Sequence, residues 1–139
     1  MLEAVKTAAL LQKVARLDPR ALLATDALAM ATVEGARCLG LDGQVGSLEP
    51  GRRADLVRLG GDGPALANVH DPGQQVVYCT SPADVADVWV DGERRVAAGR
   101  LVGHELADLV QASRPLAQEL VTRAGLGAWS RLARPPTGD

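Results

Sequence analysis

Two histidines and two cysteines are the scarcest reactive side chains of this 139-residue sequence. His70 stands in "NVHDP" beside Asp71, a pairing that suggests a general base and its orienting carboxylate. Neighbours on an extended backbone point to opposite sides. The spacing therefore favours a capped loop, with Asp71-Pro72 forming a turn. His104 opens a helical pattern and reads as a helix-entry residue. Cys38 and Cys79 have no partner at zinc-ligand spacing and are expected to be small buried hydrophobes. Ser47, Ser81, Ser113 and Ser130 lie in turns or helices, none within a Gly-x-Ser-x-Gly elbow. Asp84 and Asp87, three apart, read as exposed turn carboxylates. The pairs Arg52-Arg53 and Arg94-Arg95 read as solvated strand ends. Metal hydrolysis draws on several convergent histidines and carboxylates. The inventory therefore assigns no catalytic, cofactor-binding or metal-ligating residue.

Composition narrows the class further. Fifteen basic and seventeen acidic residues are well mixed, for a net charge of −2. A nucleic-acid partner is not expected, because that needs a basic face. No apolar run approaches the ~20 residues that span a bilayer, so no membrane partner is expected either. The opening "MLEAVKTAALLQK" has neither the basic leader nor the cleavage site of a secretory signal, which makes a cytoplasmic location the expectation. Apolar residues make up 47%, but Phe is absent and Tyr78, Trp89 and Trp129 are the only aromatics. The core must be built from Ala, Leu and Val. Such side chains each bury little area, at about 25 cal/mol per Å2, and predict modest stability.

The elements that would position these residues follow from periodicity. Glu3 to about Leu17 reads as a helix, with Val5, Ala8, Ala9, Leu11 and Ala15 on one stripe. Asp18-Pro19 ends it. A second helix is expected from an N-cap at Thr25 through "DALAMATV", interrupted by Gly35. "EGARCL" adds a short turn closed by Gly40. After a Gly-rich stretch, "ADLVRL" reads as a strand and "VVYCT" as a second, buried on both faces. "ADVWVDGERRVAAGRLV" reads as a hairpin turning at Asp91-Gly92, with Gly99 permitting a kink before a last strand at Arg100–Val102. From His104 the helical period returns, with a kink or break expected at Pro115 and a loose tail from "GLGAWS" onward. Asp55 opens the first strand. Its carboxylate is expected to bind N–H groups of the preceding Gly-rich turn, an architectural role.

In order and spacing, "MLEAVKTAALLQK", "ALAMATVEGARCLGL", "GSLEPGRRADLV" and "VVYCTSPADVADVWVDGERRVAAGRLV" resemble the C-terminal part of the amidohydrolase superfamily. The branch is that of methylthioadenosine/S-adenosylhomocysteine deaminases, guanine/8-oxoguanine deaminases and s-triazine hydrolases. The resemblance implies an α+β fragment in three parts: residues 1–40, the last helix and following helices of a metal-dependent hydrolase (β/α)8 barrel; 41–103, the C-terminal strands of its small β-sandwich; and 104–139, a C-terminal helix and loose tail. It implies hydrolysis of C–N or C–Cl bonds, other than peptide bonds, of a purine, nucleoside or triazine-type heterocycle. In the family, zinc or iron is held by a His-x-His pair, further histidines and a last-strand aspartate. None of these motifs is present here, and they are expected upstream of Met1. The chain alone is then expected to be inactive. Its expected partners are the barrel portion that precedes it or further copies of itself. The alternative is a non-enzymatic oligomerisation module built on that scaffold. A third reading, an independent hydrolase using His70 and Asp71, has the adjacent-residue geometry against it.

Overall fold

The computed structural model describes residues 1–60 and 63–126. The chain divides into two compact units, Met1–Val102 and a second beginning at Gly103. The first contains helices α1 (Leu2–Arg16), α2 (Ala24–Ala31) and α3 (Val33–Cys38), strand β1 (Leu56–Leu59), a helical segment beginning with α4 (Pro72–Gln74), and strands β2 (Val85–Val90), β3 (Glu93–Ala97) and β4 (Arg100–Leu101). The second contains α5 (Leu106–Arg123).

The helical core is made of small residues, as the composition requires. Val5 and Ala9 of α1 meet Ala24 and Ala27 of α2, and Val77 seals the cluster. Of the predicted α1 stripe, Leu11 and Ala15 are exposed. The end of α1 is fixed by Lys13 rather than by apolar contact. Its ammonium donates to the carbonyls of Pro19 (2.5 Å) and Leu22 (2.8 Å), tying the α1–α2 connection to the helix.

Three expectations about helices need correction. Thr25 is not the cap of α2, because Leu23 holds the extended capping position. The break after α2 falls at Thr32 instead of Gly35; its hydroxyl bonds the Leu28 carbonyl (2.7 Å) and its backbone leaves the helical region. Pro115 does not break α5, which runs through it. Proline removes one intrahelical bond, and the turns on either side carry the helix on.

"VVYCT" is also not a strand. Residues 75–79 continue α4 as a π-helical turn. The start signal was in the sequence: Asp71 accepts a bond from the Gln74 N–H (3.1 Å) and Pro72 occupies the first turn. Burial of Val77 against α1 and α2 then overrides the β preference of this run. Both cysteines, expected in the interior, are exposed at the ends of their helical segments.

The sheet is antiparallel in the order β1-β2-β3-β4. The expected β2–β3 hairpin forms at Asp91-Gly92, where both residues have positive φ (51° and 81°), as a tight two-residue turn requires. Ala98-Gly99 repeats this arrangement between β3 and β4. Gly46 serves the helix side, since a Cβ there would lie 3.1 Å from Ala36, Thr32 and Val33.

Asp55 is architectural, though not through the turn before it. Its Oδ1 accepts from the Asp91 N–H (2.5 Å), and the Gly92 N–H donates to the Ala54 carbonyl (3.0 Å). Arg53 and Asp91 add an ion pair at 2.8 Å. The chain entering β1 is thus pinned to the β2–β3 turn. Replacing Asp55 by alanine is expected to cost about 1 kcal/mol, read as a melting temperature lowered by several degrees; an unchanged melting profile would contradict this role.

Candidate functional site

The most elaborate side-chain constellation among the described residues surrounds Asp87, at the centre of β2. Asp87 was expected to be exposed, yet it is 1% exposed. Arg58 of β1 donates through Nε to Oδ2 (2.5 Å), and its Nη2 pairs with the same oxygen. Arg94 of β3 donates to Oδ1 through Nε (3.1 Å) and Nη2, and the Ala98 N–H adds a bond to Oδ1 (3.1 Å). Arg94, expected to be a solvated strand end, also stacks over Trp89, with its guanidinium carbon 5.7 Å from the ring centroid.

Strand register makes this cluster possible. Arg58 lies opposite Asp87, and Arg94 lies opposite Trp89, two residues further along the same face of β2. The sequence signal was a lone acid inside an otherwise strand-like run, with arginines on both neighbouring strands. The Arg94 hydrogen bond, helped by the Ala98 N–H and by Arg58, pulls the Asp87 carboxyl down to about 2 against the opposing penalty of burial. At neutral pH this carboxylate is charged and both its oxygens are engaged. It is suited to holding three strands and not to moving protons.

The residues singled out in the sequence do not converge. His70 is exposed, and the carboxylate of its neighbour Asp71 is taken up by the Gln74 N–H and side-chain amide, which hold its pKa below the usual range. Asp84 accepts from the N–H and hydroxyl of Ser81 (2.8 and 3.0 Å). Ser113 bonds the Val110 carbonyl. Arg52 pairs with Glu49 at 2.9 Å. His104 belongs to the second unit and precedes α5. Trp129, Ser130 and the expected loose tail past Leu126 lie outside the described residues.

Beside the ionic cluster is an apolar groove of about 780 Å3, lined by Met30, Leu39, Leu48, Leu56 and Trp89. Ser47 also borders it, with a buried hydroxyl that has no hydrogen-bond partner. Among the described residues no group of three or more His, Cys, Asp or Glu is placed to hold a metal ion. No helix among them is long and apolar enough to cross a membrane.

This helix-then-sheet order is that of a known class: the chain belongs to the amidohydrolase family, whose pattern matches residues 1–95. The resemblance read from the residues is borne out, and the match falls in the C-terminal part of the related proteins. Its particular relatives are deaminases. It is 38% identical over 122 residues to the 5'-deoxyadenosine deaminase of Methanopyrus kandleri, covering 88% of this chain and 28% of that protein. It is 49% identical over 92 residues to the 5-methylthioadenosine/S-adenosylhomocysteine deaminase of Desulforudis audaxviator, covering 66% of this chain and 21% of that protein. Among solved structures, an adenosine deaminase from Xanthomonas campestris with bound zinc superposes with a TM-score of 0.81 at 33% identity, over 88% of this chain and 28% of the other. The chain thus spans under a third of the length of these relatives. Zinc, present in the Xanthomonas enzyme, finds no matching donor set among the described residues, so no reaction step is assigned through it here.

The Asp87 cluster has a testable pH signature. A carboxyl lowered from 3.8 to about 2 contributes stability that is complete above about pH 4 and lost as pH falls through 2. Asp87→Asn is expected to lower the melting temperature by roughly 10 °C at neutral pH. The gap between the two proteins should narrow as pH falls from 4 to 2. A gap that is constant with pH would show that the carboxylate charge is not what holds the strands.

Proposed function

We propose that this chain is the C-terminal scaffold of an amidohydrolase that hydrolyses a C–N bond of a purine nucleoside or a related heterocycle. The single observation carrying this reading is the similarity over 122 residues to a 5'-deoxyadenosine deaminase, which takes in helices and sheet and does not depend on one motif. The reaction adds water to the ring carbon that bears the amine. A C–O bond forms, the C–N bond breaks, and ammonia leaves with the proton it needs.

The part played by residues 1–126 is mechanical. The helices α1 and α2 with the π-helical turn supply a packed wall, and the Asp87 cluster fixes β1, β2 and β3 against one another. Rigid support of this kind matters because a misplacement of 1 Å at a reacting centre can cost about a hundredfold in rate. The residues that contact the heterocycle, and those that would hold the zinc or iron expected in such an enzyme, are assigned outside the described residues. By itself the chain is therefore expected to release no ammonia from a nucleoside.

The reading is tested by exchange. The matching 122 residues of the Methanopyrus kandleri deaminase are replaced by those of this chain, and ammonia release from 5'-deoxyadenosine is followed. The expected result is a folded, zinc-loaded chimera with kcat/KM within about a hundredfold of the parent. A folded, zinc-loaded chimera without turnover would contradict it.

A further inference from the structure

The apolar groove lies along an open edge of the sheet. Among the described residues β1 pairs with β2 alone, so every second residue of β1 directs its N–H and C=O away from the sheet. Asp55, Leu56, Val57 and Arg58 all line the groove. Side chains of consecutive strand residues point to opposite faces, so four in a row on one wall mean that the groove follows the strand's edge. Met30, Leu39 and Leu48, all exposed, form the rest of its apolar lining with Trp89. The two charged residues on the wall are already engaged, Asp55 with the Asp91 N–H and Arg58 with Asp87. Ser47 keeps a buried hydroxyl without a partner, and buried groups of this kind are almost always satisfied.

We infer that the groove receives an extended, uncharged strand, which pairs with the free edge of β1, covers Leu39 and Leu48, and bonds the Ser47 hydroxyl through its backbone. The inference rests on the amidohydrolase reading for the source of that strand: the polypeptide of such an enzyme beyond the matched residues. A second copy of this chain is poorly equipped to supply it. Among the described strands β2 and β3 are paired on both sides, β4 has two residues, and β1 has four with a register shift. The relatives hold the needed polypeptide, since this chain covers 28% of the Methanopyrus kandleri deaminase.

The purified 139-residue chain and the chimera described above are compared by amide hydrogen exchange and light scattering. In the chain, expected to be monomeric, the outward amides of β1 exchange freely. In the chimera the same amides are expected to be protected at least about tenfold more. Ser47→Ala adds a second readout. It is expected to leave the melting temperature of the chain unchanged or raised, because a buried hydroxyl without a partner is removed. In the chimera it is expected to lower the melting temperature by several degrees, because a bond is removed. Outward β1 amides that exchange equally in both proteins would overturn the inference, as would a chain that dimerises and protects them by itself. A chimera that does not fold would overturn it too, since a groove built for such a strand accepts the parent's. A protected edge in a folded, zinc-loaded chimera without turnover would leave the inference standing and remove the reading of function. An active chimera with a bare edge would do the reverse.

Discussion

The sheet depends on one buried negative charge. Asp87 sits at the centre of β2, and its two oxygens are divided between Arg58 on β1 and Arg94 on β3, with the Ala98 N–H reaching it from the β3–β4 turn. A buried carboxylate deprived of its partners is strongly destabilising. Any sliding of β1 or β3 past β2 would separate an arginine from the charge, so the cluster fixes register as well as binding. Both arginines remain about half exposed, at 59% and 48% of their side-chain area, and their guanidinium groups keep much of their hydration. The acid alone bears the full cost of burial, and it is the acid that collects three donors.

That constraint explains why a sheet of four short strands, two of them edges, keeps a defined pairing. The bulges recorded between Arg58 and Leu59 and between Val88 and Trp89 flank the ionic cluster. Bulges raise local twist and re-aim side chains, and here they accompany the approach of both guanidinium groups to one carboxylate. The Asp55 and Arg53 contacts to the Asp91 turn secure the far end of β1 in the same manner. On the helical side the stabilising force is different in kind. Alanines and valines allow α1, α2 and the π-helical turn to approach closely, each contributing a small buried area.

Much of this was legible in the residues. The Asp91-Gly92 hairpin, the first helix, the strand after Asp55 and the later strands follow from turn chemistry and periodicity, which act locally. The family was legible because motif order and spacing extend over most of the chain. Other features depended on contacts far apart in sequence. The run "VVYC" favours a strand by composition, but Asp71 and Pro72 start a helix ahead of it and Val77 completes the core of α1 and α2. Asp87 reads as a surface acid in the sequence because its partners lie 29 and 7 residues away, and only pairing of the strands brings them together. Asp55 reads as bound to the turn before it for the same reason: its actual donor, the Asp91 N–H, lies 36 residues along the chain.

In the sheet, charges are used against one another: Asp87 is set against Arg58 and Arg94. The most direct measurement is amide hydrogen exchange on the native chain and on Asp87→Asn. If the buried charge is what holds the sheet, amides of β1, β2 and β3 lose protection in the variant while those of α1 and α2 keep theirs. Equal protection of the strand amides in the two proteins would contradict the account.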